Sequence, residues 1–203
     1  MSPLPSSRPR FAALASLVVL VVTVLLGCAS APQYDYSKEP DPRKKEYEVG
    51  PLDQLKVVVW NHAELSADVT VRPDGVVTLP LIGDVKAAGQ VPSQMQKELN
   101  KRYAAYVRIE ETSVSVGVAQ VNSYNFTISG NVEKAGVYSQ RSFVTVMEAI
   151  ALAGGPNKYA GGSAYIVRGQ PTRKVPIDIK RASSGDHPDE NVVVLKGDLI
   201  VVP

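Results

Sequence analysis

From Tyr47 onward the chain alternates apolar and polar residues with the period of half-buried strands. In "QLKVVVW" Leu55, Val57 and Val59 share one face, and Lys56, Val58 and Trp60 the other. In the next stretch, "VTVRPDGVVTLPLIG", Val69 and Val71 lead into Pro73-Asp74-Gly75, and Val77 and Leu79 lead out. Proline presets φ, aspartate bonds nearby backbone and glycine accepts positive φ, so the pattern predicts a hairpin joining these two runs. Pro80 then ends central pairing. "VPSQMQKELNKRYAAYV" predicts a helix, with Ser93 and Gln96 as capping box and Met95, Leu99, Tyr103 and Tyr106 on one face. "TSVSVGVAQV" returns to alternation through Val114, Val116 and Val118.

Asn122-Ser123 separates this run from "YNFTISG", where Tyr124, Phe126 and Ile128 alternate with Asn125, Thr127 and Ser129. "TVMEAIALAGG" predicts a second helix, opened by a Thr145/Glu148 box and closed by Gly154 in a left-handed cap. "SAYIVRG", "RKVPIDI" and "VVVLKGDLIVVP" predict strands, with a polar loop over residues 182–191. Each half is therefore strands, one capped helix, then strands: an α+β chain of two small mixed domains, 47–122 and 123–203.

The leader reads differently. Arg8 and Arg10 precede an apolar run over residues 11–26, and Gly27 precedes Cys28, the only cysteine. The run is short for a spanning helix, which needs roughly 20 residues, and the layout is that of an export signal over residues 1–27. It resembles a bacterial lipoprotein box, which makes Cys28 the lipidation site; an uncleaved anchor helix with an incidental cysteine is the alternative. A lone exported cysteine makes no internal disulfide, in keeping with a thiol committed to lipid. Residues 28–46, with Pro32, Pro40, Pro42 and the charged "RKKE", are expected to be a flexible tether.

Apolar content of 44% and charged content of 21% place the rest among globular chains. Of 22 basic residues against 20 acidic, Arg8 and Arg10 leave with the signal, which balances the mature chain. That surface lacks the basic excess of a nucleic-acid binder.

Candidate chemistry is sparse. His62 and His187 are far apart, and "DHPDE" is expected to be a solvated acidic loop rather than a metal site, lacking a ligand ladder. There is no G-x-S-x-G elbow, Walker loop or dinucleotide fingerprint. The glycines of "GGPNKYAGG" are expected to serve turns, a ligand-facing loop being the alternative. Asp53, Asp74, Asp84 and Asp198 neighbour turn residues and are expected to accept backbone hydrogen bonds. Trp60 is expected to pack. No catalytic residue, metal ligand or cofactor is assigned, and the chain is not expected to be an enzyme.

Two motif sets carry a resemblance. Tyr47, Gly50, Asp53, Leu55, Val59, Trp60, Val71, Asp74, Gly75, Leu79, Pro80, Gly83 and Gly89 fall on a pattern of the N-terminal domain of Wza-like outer-membrane polysaccharide export proteins. Leu52 stands where that pattern has glycine. Gly130, Gly136, Ala153, Gly154, Gly155, Arg168, Gly197 and Asp198 fall on the pattern of the family's soluble-ligand-binding β-grasp domain, making the second domain β-grasp-like.

The resemblance implies structural and assembly roles for these residues. It also implies a homo-oligomeric ring, octameric in the family, that passes polysaccharide and works with an inner-membrane co-polymerase and its tyrosine kinase. Longer members carry a further β-grasp domain and a C-terminal membrane helix, and this chain is expected to be a short member without them. It is therefore expected to supply the periplasmic part of the conduit, lipid-anchored at the outer membrane, with a separate outer-membrane β-barrel making the crossing. Two rivals are a monomeric carbohydrate-binding lipoprotein using the loop near Gly161, and a hydrolase with carboxylates gathered in a cleft.

Overall fold

Strand β1, Gln54–Val59, lies at the centre of the first sheet, antiparallel to β2, Ala67–Thr70, and to β5, Val114–Gln120. Its alternation is realised: Leu55, Val57 and Val59 are buried while Lys56 and Val58 face outward. Trp60, next on the outward side, is 71% exposed rather than packed, because the strand's buried face belongs to the odd-numbered positions. The computed structural model describes residues 34–108, 113–169 and 171–203, of which Asp35–Pro203 form one compact unit. The leader and Cys28 lie outside the described residues.

The expected hairpin forms only as a turn. Gly75 N–H donates to Arg72 C=O and Arg72 N–H to Val76 C=O. Yet β3, Val76–Leu79, pairs with β4, Gly83–Lys86, across Pro80-Leu81-Ile82, and not with β2. The backbone just after β2 is already committed, since Val71 donates to Asp53 C=O and accepts from Leu52 N–H. The chain must therefore leave the first sheet before the turn.

Helix α1, Pro92–Tyr103, buries Met95, Leu99 and Tyr103 against a core that includes Leu55, Val57, Val77, Val85 and Val114. The Ser93/Gln96 box does not form. Pro92 takes the first helical position and Val91 the cap, so Ser93 sits inside the first turn. Its N–H and hydroxyl donate instead to the Glu46 carboxylate at 2.8 and 2.6 Å, placing a negative charge at the helix N-terminus. The helix ends before Tyr106, which is exposed.

The second sheet follows the order β7 (Gly136–Ser139), β6 (Asn125–Gly130), β10 (Leu199–Val202), β8 (Ser163–Arg168), β9 (Arg173–Asp178). Only β6 and β10 are parallel. Helix α2, Val146–Leu152, falls between β7 and β8 in the chain and opens with the Thr145/Glu148 capping box. First and last strands paired at the centre, with the helix between the hairpins, is the β-grasp arrangement. Phe126, Ile128, Ile166, Ile200 and Val202 from the strands, and Val146, Ala149 and Ile150 from the helix, are buried.

Two further expectations change. The stretch read as a polar loop contains α3, Ile179–Ser184, capped by Asp178, and a 3-10 turn, Pro188–Glu190. There Glu190 is buried and pairs with Arg181 at 2.7 Å rather than being solvated. In the closing phrase only β10 is strand; residues 192–194 run beside the start of α2, and 195–198 form a turn. Among the described residues no helix is long and apolar enough to cross a membrane.

Gly130 closes β6 at φ +93°, and a Cβ there would collide with the Val202 carbonyl oxygen. Both the left-handed backbone and the close approach to β10 require glycine. Gly130→Ala is therefore expected to lower stability by about 3 kcal/mol, read as a fall in thermal midpoint of roughly 6–12 °C. An unchanged midpoint would show that the β6–β10 end relaxes freely.

Candidate functional site

Asp53, fully buried just before β1, collects five donors. One carboxylate oxygen accepts from Tyr47 Oη (2.7 Å), Gly50 N–H (2.8 Å) and Ser123 Oγ (3.0 Å). The other accepts from the N–H groups of Asn122 (2.8 Å) and Ser123 (2.7 Å). Burial alone would raise its pKa, but the bonds from Tyr47, Gly50, Ser123 and Asn122 together hold the carboxyl below the ordinary range. Burial pushes the Tyr47 phenol well above its usual value. Since 122–123 is where the chain passes from the first sheet to the second, this one carboxylate ties both halves together. Leu52, standing where the family pattern has glycine, takes φ +74° beside it and donates its N–H to Val71 C=O, so the turn keeps the left-handed geometry without glycine.

A second buried site centres on Arg168, at the end of β8. Its guanidinium binds both Asp198 oxygens, Val193 C=O (2.7 Å) and the Glu39 carboxylate (2.7 Å). Glu39 is also gripped by Arg173 at 2.6 and 3.0 Å, and Asp198 accepts the Leu195 N–H at 2.7 Å. Glu39 corrects the tether expectation over residues 35–46. The segment is folded onto the unit through two 3-10 turns, Tyr36–Lys38 and Pro42–Lys44, the Tyr36 Oη bond to Pro176 C=O, the Glu39 clamp and the Glu46 cap on α1. It forms a strap touching both halves. Neither glutamate carries a local signal of this role, because each meets a partner far along the chain.

Beneath the strap lies a cleft of about 480 Å³. Lys45 from the strap, then Tyr47 and Glu48, together with Phe143 and Lys196, line it. Gly50 and Gly89 also line it, and Gly89 N–H donates to Val49 C=O. The Tyr47 and Phe143 rings are 6.2 Å apart and tilted by 46°, and buried Tyr124 meets Phe143 edge-on at 5.0 Å.

The remaining motif residues disperse. Asp74 accepts the Val76 N–H and pairs with Arg72 beside Gly75. Asp84 binds the side chains of Thr78 and Arg72 instead of backbone donors, because it faces Thr78 across the β3–β4 pair. Pro80 offers its C=O to Tyr103 Oη, and Gly83 opens β4. Gly136 opens β7, and Gly155 C=O and Ala153 C=O receive the N–H groups of Glu133 and Lys134 beside Gly154. Gly197 donates to Asn125 C=O next to Asp198. Gly161 donates to Pro203 C=O, so that loop is bonded to the residue following β10. Among the described residues no group of three or more His, Cys, Asp and Glu could hold a metal ion; His62 pairs with Glu64 at the surface.

Residues 41–119 match the family of polysaccharide biosynthesis/export proteins, and residues 125–176 match the SLBB domain. The chain is 32% identical over 134 residues to the exopolysaccharide production protein ExoF of Rhizobium meliloti, covering 61% of this chain and 31% of ExoF. It is 26% identical over 144 residues to the EPS I polysaccharide export outer membrane protein EpsA of Ralstonia solanacearum, covering 59% of this chain and 38% of EpsA. The chain thus spans about a third of the length of these relatives. Asp53 lies in the first matched segment and its partners Asn122 and Ser123 between the two, Arg168 lies in the second, and the strap bonds to both through Ser93 and Arg168. With an export domain followed by an SLBB domain, the chain is similar in domain content and order to Wza-like polysaccharide export proteins.

Proposed function

We propose that the protein is a lipid-anchored, periplasm-facing component of a polysaccharide export conduit at the outer membrane. The observation that carries this reading is the fusion of an export domain and an SLBB domain into one unit by the Asp53 carboxylate. A two-domain piece held by buried bonds suits a wall segment better than a pair of hinged modules. Identical segments meeting head to tail close economically into a ring, whose lumen would pass the polymer without covalent chemistry. Cys28 would carry the lipid, and several acyl chains at about 0.8 kcal/mol per buried methylene hold durably. In this reading the crossing is made by a separate outer-membrane β-barrel, a structure that satisfies its own backbone in lipid. The inner-membrane co-polymerase with its kinase would feed the ring. The names of ExoF and EpsA support the export assignment.

Native mass spectrometry of the full-length lipidated protein, extracted in mild detergents, is expected to show closed oligomers; monomer in every detergent would overturn the ring. Deleting the gene is expected to trap polymer inside the cell envelope, and unaltered surface carbohydrate would remove export. Cys28→Ser is expected to shift the protein from the membrane to the soluble fraction. Retention in the membrane would restore the anchor-helix alternative.

A further inference from the structure

The cleft under the strap has the size of a ligand site, and neither domain match assigns it one. Its volume of about 480 Å³ lies within the range of small-molecule sites, about 300–1,000 Å³. Its aromatic wall is prepared in advance. Tyr47 and Phe143 are each only partly buried, so both rings offer surface to the opening. Neither needs to reorganise, because the Tyr47 hydroxyl is held by Asp53 and Ser123 and Phe143 rests edge-on against buried Tyr124. Rigid walls of this kind lower the ordering cost of binding.

The polar groups narrow the ligand class. Lys45, Glu48 and Lys196 line the cleft, are exposed, and have no hydrogen-bond or ion-pair partner through their side chains among the described residues. By contrast, the Asp41 and Glu46 carboxylates, also in the lining, are engaged by Arg43 and Ser93. The Lys196 ammonium leans over Gly50, in the space a Cβ would occupy. Free groups of both signs suit a simple anion or cation poorly, since each would meet like charge. They suit a polyol, whose hydroxyls donate to carboxylate and accept from ammonium. Electron-rich ring faces meanwhile attract the weakly positive C–H faces of pyranose rings.

We propose that this cleft binds one or two pyranose units of a carbohydrate chain, stacked on Tyr47 and Phe143 with hydroxyls on Lys45, Glu48 and Lys196. That the carbohydrate is the exported polymer rests on the export reading; the binding itself does not. It also moves the carbohydrate contact away from the loop near Gly161.

The test titrates the full-length protein with size-defined oligosaccharide fragments of the source strain's secreted polysaccharide, following tyrosine and lysine signals by NMR. Sodium sulfate and spermidine serve as single-sign probes. Saturable binding is expected, with Phe143→Ala and Lys196→Ala each weakening it about tenfold, the effect of losing one stacking or charged contact. Lys196→Ala and Glu48→Gln change exposed side chains and are expected to leave the thermal midpoint unchanged, which covers the chance that Phe143→Ala disturbs packing. No binding, binding unaffected by these variants, or full competition by sulfate or spermidine would each overturn the site. Export failure in a deletion strain is read separately, so loss of this proposal leaves the export reading standing. Conversely, fragments bound by a protein whose deletion leaves surface carbohydrate unaltered would keep the site and remove the conduit.

Discussion

Asp53→Ala is expected to be among the most destabilising single changes in the chain. The carboxylate is fully buried and accepts from Tyr47, Gly50, Asn122 and Ser123, the last through both N–H and hydroxyl. Alanine would leave these donors facing a void, and an unsatisfied buried donor costs about 1–3 kcal/mol. The losses are not additive, and a total of about 4 kcal/mol is reasonable for a broken buried network. For a chain of this size that corresponds to a fall in thermal midpoint on the order of 10 °C. Hydrogen exchange is expected to rise on both sides of Ser123, because the lost bonds join the two sheets. A midpoint within about 2 °C of the parent, well inside the usual surface-substitution range, would show that the two halves hold together without this carboxylate.

The same group sets an acid limit. Its folded pKa lies below the unfolded value of about 3.9, so below that value the unfolded chain binds the extra proton first. The stabilisation is therefore complete above about pH 4–5 and is lost as pH falls through the ordinary carboxylate value toward the depressed folded one. Urea midpoints measured between about pH 7 and 3 should decline more steeply for the parent than for Asp53→Asn, which has no charge to neutralise. Parallel declines would place the acid sensitivity elsewhere.

Arg168→Ala is the second large effect. Arg168 is 4% exposed and stands between two carboxylates, Asp198 and Glu39, that are equally enclosed. Removing one partner of a buried ionic set costs about 3–5 kcal/mol, because the stranded charges stay out of water. Asp198 would retain the Leu195 N–H and Glu39 would retain Arg173, which places the expectation toward the lower end. Glu39→Ala separates the strap from the sheet, since Arg168 keeps Asp198 and Val193. Its midpoint is expected to fall less than that of Arg168→Ala, while residues 35–46 become open to limited proteolysis and fast exchange. Protection of that segment in Glu39→Ala would show that Tyr36 and Glu46 hold the strap unaided.

Local pattern carried much of this fold. Period-two alternation placed Leu55, Val57 and Val59 inside and Lys56 outside, because successive strand side chains point to opposite faces whatever the neighbours are. The Thr145/Glu148 box and the turn aspartates Asp53 and Asp198 were legible for the same reason: their partners include backbone donors only three residues away. The motif sets around Tyr47–Asp53 and Arg168–Asp198 were legible as a family pattern, and from that came the order of the two domains.

Only tertiary structure decided which surfaces meet. Glu46 caps a helix 47 residues away and Glu39 crosses 129 residues to Arg168, so a prolyl, charged segment that reads as tether becomes a strap. β3 chose β4 over β2 because Val71 was already bonded to the Asp53 turn, and Trp60 stayed outside because the opposite face of its strand fills the core. Periodicity records which side of an element is apolar. It does not record which distant charge will be desolvated beside it, and that is what tied the strap down, joined the two halves through Asp53 and left a walled cleft between them.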